Sequence, residues 1–540
     1  MTYVNNLGSG WNLGNTFDSH DIEADLGEQT WDNPKVSREL IQAIKAEGFQ
    51  SIRIPLTLHY RMDSEYMIDS DYLDRYEDVV RWALEEDLYV LINLHHDSTE
   101  WLNQWDGQET SDEYKRFVAI WTQLADRFSE YNHHLFFESI NEPSFEAEES
   151  EQYTRLAKIN RAFHSVVRES GGLNTQRMLV LPTLLSKSRQ ADLDALLSEI
   201  QQLNDPYLIA SIHYYGEWEF SNNIGVTMLD DPFRDGKTQR ELNEELIGQL
   251  ERTFTDQQIG VLIGEYGLLG FDRHPEVNNV GETYKFIEQM NGLTRDKPIA
   301  LMLWDNGQHF NRVTFGWGPE KLGDIVVQSM FSSSAYGSYI DMTFIKDIQG
   351  ELFVNLEFNE TELQEVLFNG ERMLEGQDYE KNEDGVYFFP QVIERLLGEV
   401  EAMGNVGTLT FRFNTGATWN QDVYLFDQMI LGESQDTEVG QAVLIPVDYA
   451  GNQIKRVSIV SQTGEMVTTL DNWPYLVYLE DFIPDYQKGQ LILAEHVTSL
   501  LNEGDYTVTI ETHSNDTYQY VLTIQDSVIA GHSVVGLDDD

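Results

Sequence analysis

The chain reads as an α/β protein, a (β/α)8 TIM barrel followed by two all-β sandwich modules, on three observations. From about residue 8 to residue 330, short apolar runs alternate with segments whose apolar residues recur at helical spacing, as expected of a parallel sheet with helical crossovers. Eight such runs occur, the number that closes a barrel of this kind. After about residue 340 the helical stripes give way to short strand-like runs separated by Gly, Asn and Asp turns.

Taken in order, the barrel strand candidates are residues 10–13, 51–55, 89–94, 135–140, 178–181, 208–213, 261–263 and 300–304. Between the second and third, Tyr76, Val79, Val80, Ala83 and Leu84 form a helical stripe. Between the third and fourth, Tyr114, Phe117, Val118, Trp121, Leu124, Ala125 and Phe128 form another. Both stripes are read as faces packed on the sheet, not as cofactor boxes. The later strand candidates are 408–413, 423–426, 442–447, 457–460, 491–493, 506–510 and 518–524. A stretch of roughly 190 residues fits two sandwiches better than one. The expected domains are therefore 1–340, 341–436 and 437–540, with the second boundary near 433–440. Long Pro or Ser linkers are absent, so the modules are expected to pack together, as a monomer. The terminal Asp538, Asp539 and Asp540 read as a solvated tail.

Composition removes several classes of function. With no Cys among 540 residues, no disulfide, zinc-thiolate site or thiol nucleophile exists. A formal charge of -57 argues against partnership with nucleic acid or an anionic membrane, since phosphate-binding surfaces need clustered Lys and Arg. No apolar run approaches the roughly 18 residues of a membrane-spanning helix. No leader is visible ahead of Tyr3, a start that a mature secreted chain and a cytosolic one would share. Aromatic residues, at 12%, are abundant, and sugar faces stack well on such rings.

In a barrel of this class the active site lies at the carboxyl ends of the strands, so polar residues that terminate apolar runs are the candidates. Asn15 follows the first strand and Arg53 lies in the second. His95 and His96 end the third, Asn141 and Glu142 the fourth, and His213 and Tyr215 the sixth. Glu265 ends the seventh and Trp304 the eighth. Two carboxylates at one mouth are what glycoside hydrolysis needs, one to protonate the leaving oxygen and one to attack the sugar carbon or activate water. Taken singly, either glutamate reads as an exposed carboxylate, Arg53 as a structural ion pair, and Trp304 or Trp31 as core. It is their joint order at strand ends that points to a site. Adjacent histidines raise the question of a metal, but alternation along a strand sends neighbours to opposite sides and no spaced partner follows, so neither metal nor other cofactor is expected.

These residues stand in motifs that resemble glycoside hydrolase family 5. The motifs are Gly10 to Asp18, Ile52-Arg53-Ile54-Pro55, Asn93-Leu94-His95-His96, Asn141-Glu142-Pro143, His213-Tyr214-Tyr215, Gly264-Glu265-Tyr266-Gly267 and Leu303-Trp304-Asp305-Asn306, in family order along about 320 residues. The resemblance implies that Glu142 is the acid/base and Glu265 the nucleophile of a retaining mechanism. Arg53 and Tyr215 would then hold Glu265 ionised, while a poorly solvated Glu142 keeps its proton. Asn141 would bind the sugar 2-hydroxyl. His95, His96 and His213 would line the subsite at the cleaved bond, with Trp304 as its floor, and Asn15 and Trp31 would bind sugars toward the non-reducing end.

Residues 341–436 resemble the immunoglobulin-like modules attached to bacterial cellulases, on the run 407–413. Residues 437–540 resemble a family 46 carbohydrate-binding module. There the stretch 472–478, Asn-Trp-Pro-Tyr-Leu-Val-Tyr, offers Trp473 to a glucan, its rival reading being a ring packed within the protein. The resemblance thus implies a secreted, modular endo-β-1,4-glucanase that acts on cellulose-type glucans, with mixed-linkage glucan and xyloglucan as further substrates. A β-mannanase on the same barrel, or an inactive glycan-binding protein, are the alternatives.

Overall fold

A computed structural model describes every residue except 22, 24, 25, 319, 347–351, 398–401, 471, 472 and 535–540. Asn472 and the acidic tail at 538–540 therefore lie outside the described residues. The eight predicted barrel strands are β1 (Ser9–Asn12), β2 (Ser51–Leu56), β3 (Tyr89–Leu94), β4 (Leu135–Glu138), β5 (Leu179–Pro182), β6 (Leu208–Tyr214), β7 (Gly260–Tyr266) and β8 (Ile299–Leu303). Each lies parallel to the next, and β8 returns to β1 with Ser9 opposite Leu301 and Trp11 opposite Leu303, closing the barrel. The crossover helices start on side-chain caps where the sequence supplies them. Ser37 accepts from the Leu40 amide ahead of Arg38–Ala46, and Asp69 from the Tyr72 amide ahead of Ser70–Glu85. Among the described residues no helix is long and apolar enough to cross a membrane.

Inside the barrel, chemistry changes from one layer to the next. A short helix, Thr2–Leu7, plugs the amino-terminal end, where Val4 and Leu7 pack with inward-facing Leu91, Phe136, Val180, Ile209, Leu262, Ala300 and Met302. Val4 fits because Gly260 has no side chain; a Cβ there would stand 2.4 Å from the Val4 Cγ2. Side chains two residues apart share a face of a strand, so the next layer up is read directly from the sequence. Asn93 stands above Leu91, Glu138 above Phe136 and Ser211 above Ile209, and all are buried. An apolar floor thus carries a polar layer, and the site is built on that layer.

The chain divides into two compact units. The first is Met1–Tyr215, Glu241–Gly267 and Gln289–Phe331. The second joins Ser332–Asp540 to two segments of the barrel chain, Gly216–Arg240 and Leu268–Glu288, which follow β6 and β7. The predicted division at residue 340 did not foresee these two excursions. Within the second unit, a five-stranded and a four-stranded sheet are drawn from residues 336–425, and a four-stranded and a six-stranded sheet from residues 430–533. The first pair begins with Tyr336–Gly337, before residue 341, and the second with Ile430–Leu431, before residue 437. Alternating burial along Trp419–Leu425 and Val443–Asp448 shows each sheet giving one face to a core.

Behind β4, Ser139 donates to Asn160 Oδ1 at 2.7 Å, and Asn160 Nδ2 lies 3.4 Å from the Glu199 carboxyl. Burial pushes Glu199 up to about 7 from 4.5, with Asn160 and Arg161 opposing. A carboxyl raised on folding stabilises the fold fully below the unfolded value, and that stability drains away as pH climbs toward the folded one. Glu199→Gln is therefore expected to match wild type in denaturant melts near pH 4 and to exceed it by roughly 2–3 kcal/mol above pH 8. Equal stability of the two at pH 8 would contradict this.

Candidate active site

Arg53, fully buried on β2, organises the mouth of the barrel. Its Nε donates to Glu138 Oε2 at 2.9 Å, Nη1 to Glu265 Oε1 at 2.7 Å and Asn12 Oδ1 at 3.0 Å, and Nη2 to Asn141 Oδ1 at 2.8 Å. Burial lowers its pKa, but Glu138 and Glu265 more than reverse that, so the guanidinium stays charged. Because Arg53 takes the Asn141 oxygen, the Asn141 amide N–H2 is the end left for a ligand. Asn12 in turn donates to the Gly264 carbonyl at 2.9 Å.

Glu265 reaches this position through a bulge. Ile212 pairs with Ile263 but His213 pairs with Glu265, so Gly264 is an extra residue in β7. A Cβ on Gly264 would stand 3.3 Å from both Ser211 Oγ and His213 Nε2, tighter than ordinary contact. Tyr215 completes the carboxylate's partners, donating to Glu265 Oε2 at 2.7 Å. Glu142 lies beyond the end of β4, which stops at Glu138 rather than at residue 140, and its backbone has φ of 37°. That left-handed conformation is costly for a glutamate and marks a position held by its surroundings.

His213 bridges the two carboxyls, its Nδ1 standing 2.7 Å from Glu142 Oε1 and 3.5 Å from Glu265 Oε2. One oxygen of Glu142 and one of Glu265 come within 4.8 Å of each other. The sequence-based expectation that burial alone keeps Glu142 protonated needs correction. Burial does raise it, but the hydrogen bond and charge of His213, with Arg53 and His96 behind, leave its carboxyl below the usual range. His213 is shifted the other way. Burial lowers it, and Glu265 and Glu142 together raise it above the ordinary imidazole value.

The rest of the mouth is aromatic. The Trp304 and His95 rings stack 5.8 Å apart with 4° between their planes. Gly14 makes room for the indole, since a Cβ there would stand 2.7 Å from Trp304 Cζ2. Burial and neighbouring His96 and Arg53 hold His95 well below the ordinary imidazole value, which leaves it neutral. Trp31 joins His96 at 5.3 Å and His20 at 5.3 Å, and His20 lies 6.1 Å from Tyr60. Asn15, at φ of 54°, is half-buried beside them, and Asn33 donates to both the Asn15 and Asn306 carbonyls at 2.9 Å, lacing the first and last loops together.

The alternation argument about His95 and His96 does not hold. Both lie past the end of β3, and their rings meet at 4.5 Å on one side. Asp18 approaches His96 Nε2 at 3.7 Å, but its two oxygens already accept from the Asn15 and Thr16 amides. Among residues that the sequence did not single out, Asn12, Asp18, His20, Tyr60 and Glu138 face this mouth. Glu138 sits two positions above inward-facing Phe136, which is a usable signal.

Trp473 belongs to the second unit and is not an open platform. Only 6% of it is exposed. Its indole N–H donates to the Ile224 carbonyl at 2.7 Å, and the Arg234 guanidinium covers the ring at 4.9 Å. A stacking surface must offer a bare ring face, so the expectation of a glucan contact is corrected to that of a buried anchor. Around it, Lys455 pairs with Asp231 at 3.0 Å, Arg273 with Glu480 at 2.6 Å, and the Tyr478 amide with the Asn223 carbonyl at 3.3 Å. The segments after β6 and β7 are thereby fastened to the last sandwich.

With this geometry in view, known proteins provide a comparison. The family model described as cellulase, glycosyl hydrolase family 5, matches residues 13–310. Endoglucanase B of Paenibacillus lautus is 35% identical over 98% of this chain and 93% of its own length. The full-length tri-modular endo-β-1,4-glucanase B of Bacillus halodurans superimposes with a TM-score of 0.92 at 35% identity, covering 99% of both chains. A tri-modular family 5 endo-β-1,4-glucanase of Bacillus licheniformis, solved with cellotetraose, gives 0.79 at 28% identity, again over 99% of both.

Two outcomes are expected from these contacts. Tyr215→Phe, which removes one donor from Glu265, should lower kcat by roughly ten- to a hundredfold while leaving the binding of cello-oligosaccharide by calorimetry within about twofold. Trp473→Ala should lower stability by about 3 kcal/mol in a thermal melt, and a variant as stable as wild type would contradict the anchor.

Proposed function

The chain belongs to glycosyl hydrolase family 5, and we propose that it is an endo-β-1,4-glucanase that cleaves with retention of anomeric configuration. The observation that carries the retaining mechanism is that one oxygen of Glu142 comes within 4.8 Å of one oxygen of Glu265, with His213 Nδ1 reaching both carboxyls. Retaining pairs stand about 5–5.5 Å apart, whereas inverting pairs need about 6.5–9.5 Å to admit a water between carboxyl and sugar.

In the first step the Glu265 carboxylate attacks the anomeric carbon as Glu142 gives its proton to the departing glycosidic oxygen. The carbon–oxygen bond breaks with its electron pair on that oxygen, and a glycosyl ester of Glu265 forms. The proton comes from the His213–Glu142 pair, whose nitrogen and oxygen stand 2.7 Å apart in one hydrogen bond. Sugar filling the mouth removes water from the Glu142 carboxyl, which favours its neutral form. In the second step water delivers its hydroxyl to the carbon and its proton to Glu142, releasing the Glu265 carboxylate. The Asn141 amide donates to the sugar 2-hydroxyl, whose hydrogen bonds strengthen in the transition state. Trp304 forms the floor of the subsite at the cleaved bond, His95, His96 and His213 line it, and Trp31 and Asn15 take sugars on the non-reducing side.

Mixed-linkage glucan and xyloglucan present the same β-1,4-glucosyl bond to the same two carboxyls, and we extend the substrate range to both. The first sandwich is read as immunoglobulin-like and the second as a family 46 carbohydrate-binding module, a reading supported by full-length similarity to tri-modular enzymes. A secreted monomer is the form proposed, and a net charge of -57 disfavours nucleic acid and anionic membrane as partners.

The test is hydrolysis of barley mixed-linkage glucan, carboxymethylcellulose, xyloglucan and mannan by wild type and by Glu265→Gln. Oligosaccharides released from the glucans by wild type, with at least a thousandfold loss in the variant, are expected, on the order of what removing a nucleophile costs. Mannan cut faster than every glucan would instead identify a mannanase.

A further inference from the structure

Glu138 takes no part in the steps above, yet it occupies the centre of the polar layer with its side chain 1% exposed. Its two oxygens are both engaged, Oε2 by Arg53 Nε at 2.9 Å and Oε1 by the Ser211 hydroxyl at 3.1 Å. We infer that Glu138 is a positioning residue for the first chemical step: it fixes the plane of the guanidinium that touches Glu265 and shares that guanidinium's charge, keeping the nucleophile reactive. This inference rests on the retaining reading given above.

The positional part follows from the shape of arginine. The guanidinium is a rigid plane, and Nε–H is its donor nearest the stem. A partner at Nε sets the roll of the plane about the stem, and the roll decides where Nη1 and Nη2 point. Here they point at Glu265 and Asn141, the two groups that meet the sugar carbon and its 2-hydroxyl.

The charge part follows from the choice of residue. Asn12 and Asn141 serve Arg53 with neutral amide oxygens. A third amide at position 138 would satisfy Nε equally well and would avoid the several kcal/mol that burying another charge costs. What a glutamate adds is its negative charge. With Glu138 present, one positive charge is divided between two carboxylates. Without it, Glu265 alone would face the whole charge. A carboxylate stabilised in that way is a poorer nucleophile but a better leaving group. Loss of the Glu138 charge should therefore slow formation of the glycosyl ester and leave its hydrolysis unchanged or faster.

That asymmetry separates positioning from simple support of the fold. With 2,4-dinitrophenyl β-cellobioside the leaving group departs easily, so kcat reports ester hydrolysis and kcat/KM reports ester formation. For Glu138→Gln we expect kcat/KM to fall about tenfold, the equivalent of about 1.4 kcal/mol of lost charge interaction. The same variant should show kcat at or above wild type, and the acid limb of its kcat/KM profile moved to lower pH. Glu138→Asp keeps the charge but draws it back by one methylene, and it should show a smaller fall of the same kind. That variant decides the matter if Glu138→Gln does not fold. Folded variants in which kcat and kcat/KM fall in step would overturn the role of Glu138. A wild type that releases its first cellobiose as the α-anomer would instead remove the double-displacement reading itself.

Discussion

A buried arginine charge is the constraint from which the catalytic mouth follows. Taking a guanidinium out of water costs several kcal/mol, and the cost is offset only if its donors meet well-placed acceptors. Arg53 meets Asn12 from β1, Glu138 from β4, Asn141 from the loop after β4 and Glu265 from β7. These four side chains come from three stretches far apart in sequence, around residues 12, 138–141 and 265, and closure of the barrel brings them together. Satisfying Arg53 fixes the nucleophile, turns the Asn141 amide toward the sugar, and ties β2 to β1, β4 and β7. Fold and site are specified by the same contacts.

The electrostatics divide the labour between the two glutamates. Glu265 is enclosed by Arg53 and Tyr215, each of which donates a hydrogen bond to one of its oxygens. Glu142 is 41% exposed at the side chain and leans on His213, whose own proton is held by the pair of carboxylates. Solvent access at Glu142 matters for the second step, when water must reach it. It matters for the first as well, because sugar binding changes the environment of Glu142 far more than that of Glu265. The two carboxyls begin with similar chemistry and are driven to different tasks by their neighbours.

Much of this was legible in the sequence because barrel strands impose a strict period. Glu142, Glu265, His213, Tyr215 and Trp304 all end or follow apolar runs, Arg53 stands within one, and chain order places them at one end of the barrel. Glu138 and Asn12 obeyed the same period but lay one step deeper, inside what reads as an apolar strand, and were passed over. The Gly264 bulge was not legible, since a glycine within a strand has several uses. Pairing of His213 with Glu142 was also hidden, because hydrogen-bond geometry between β6 and the loop after β4 is set by tertiary packing. Trp473 stood between two readings for a physical reason. An aromatic residue in a polar loop resembles a sugar platform whether its face is bare or covered, and only packing against residues 216–240 decides which.

The central claim is that Glu265 forms a glycosyl ester while Glu142 moves the proton, and the configuration of the first product tests it most directly. Proton NMR of cellotetraose hydrolysis, recorded within the first minutes before mutarotation, should show newly formed reducing ends as the β-anomer. An initial α-anomer would mean direct displacement by water and would contradict the double displacement that the Glu142–Glu265 geometry implies.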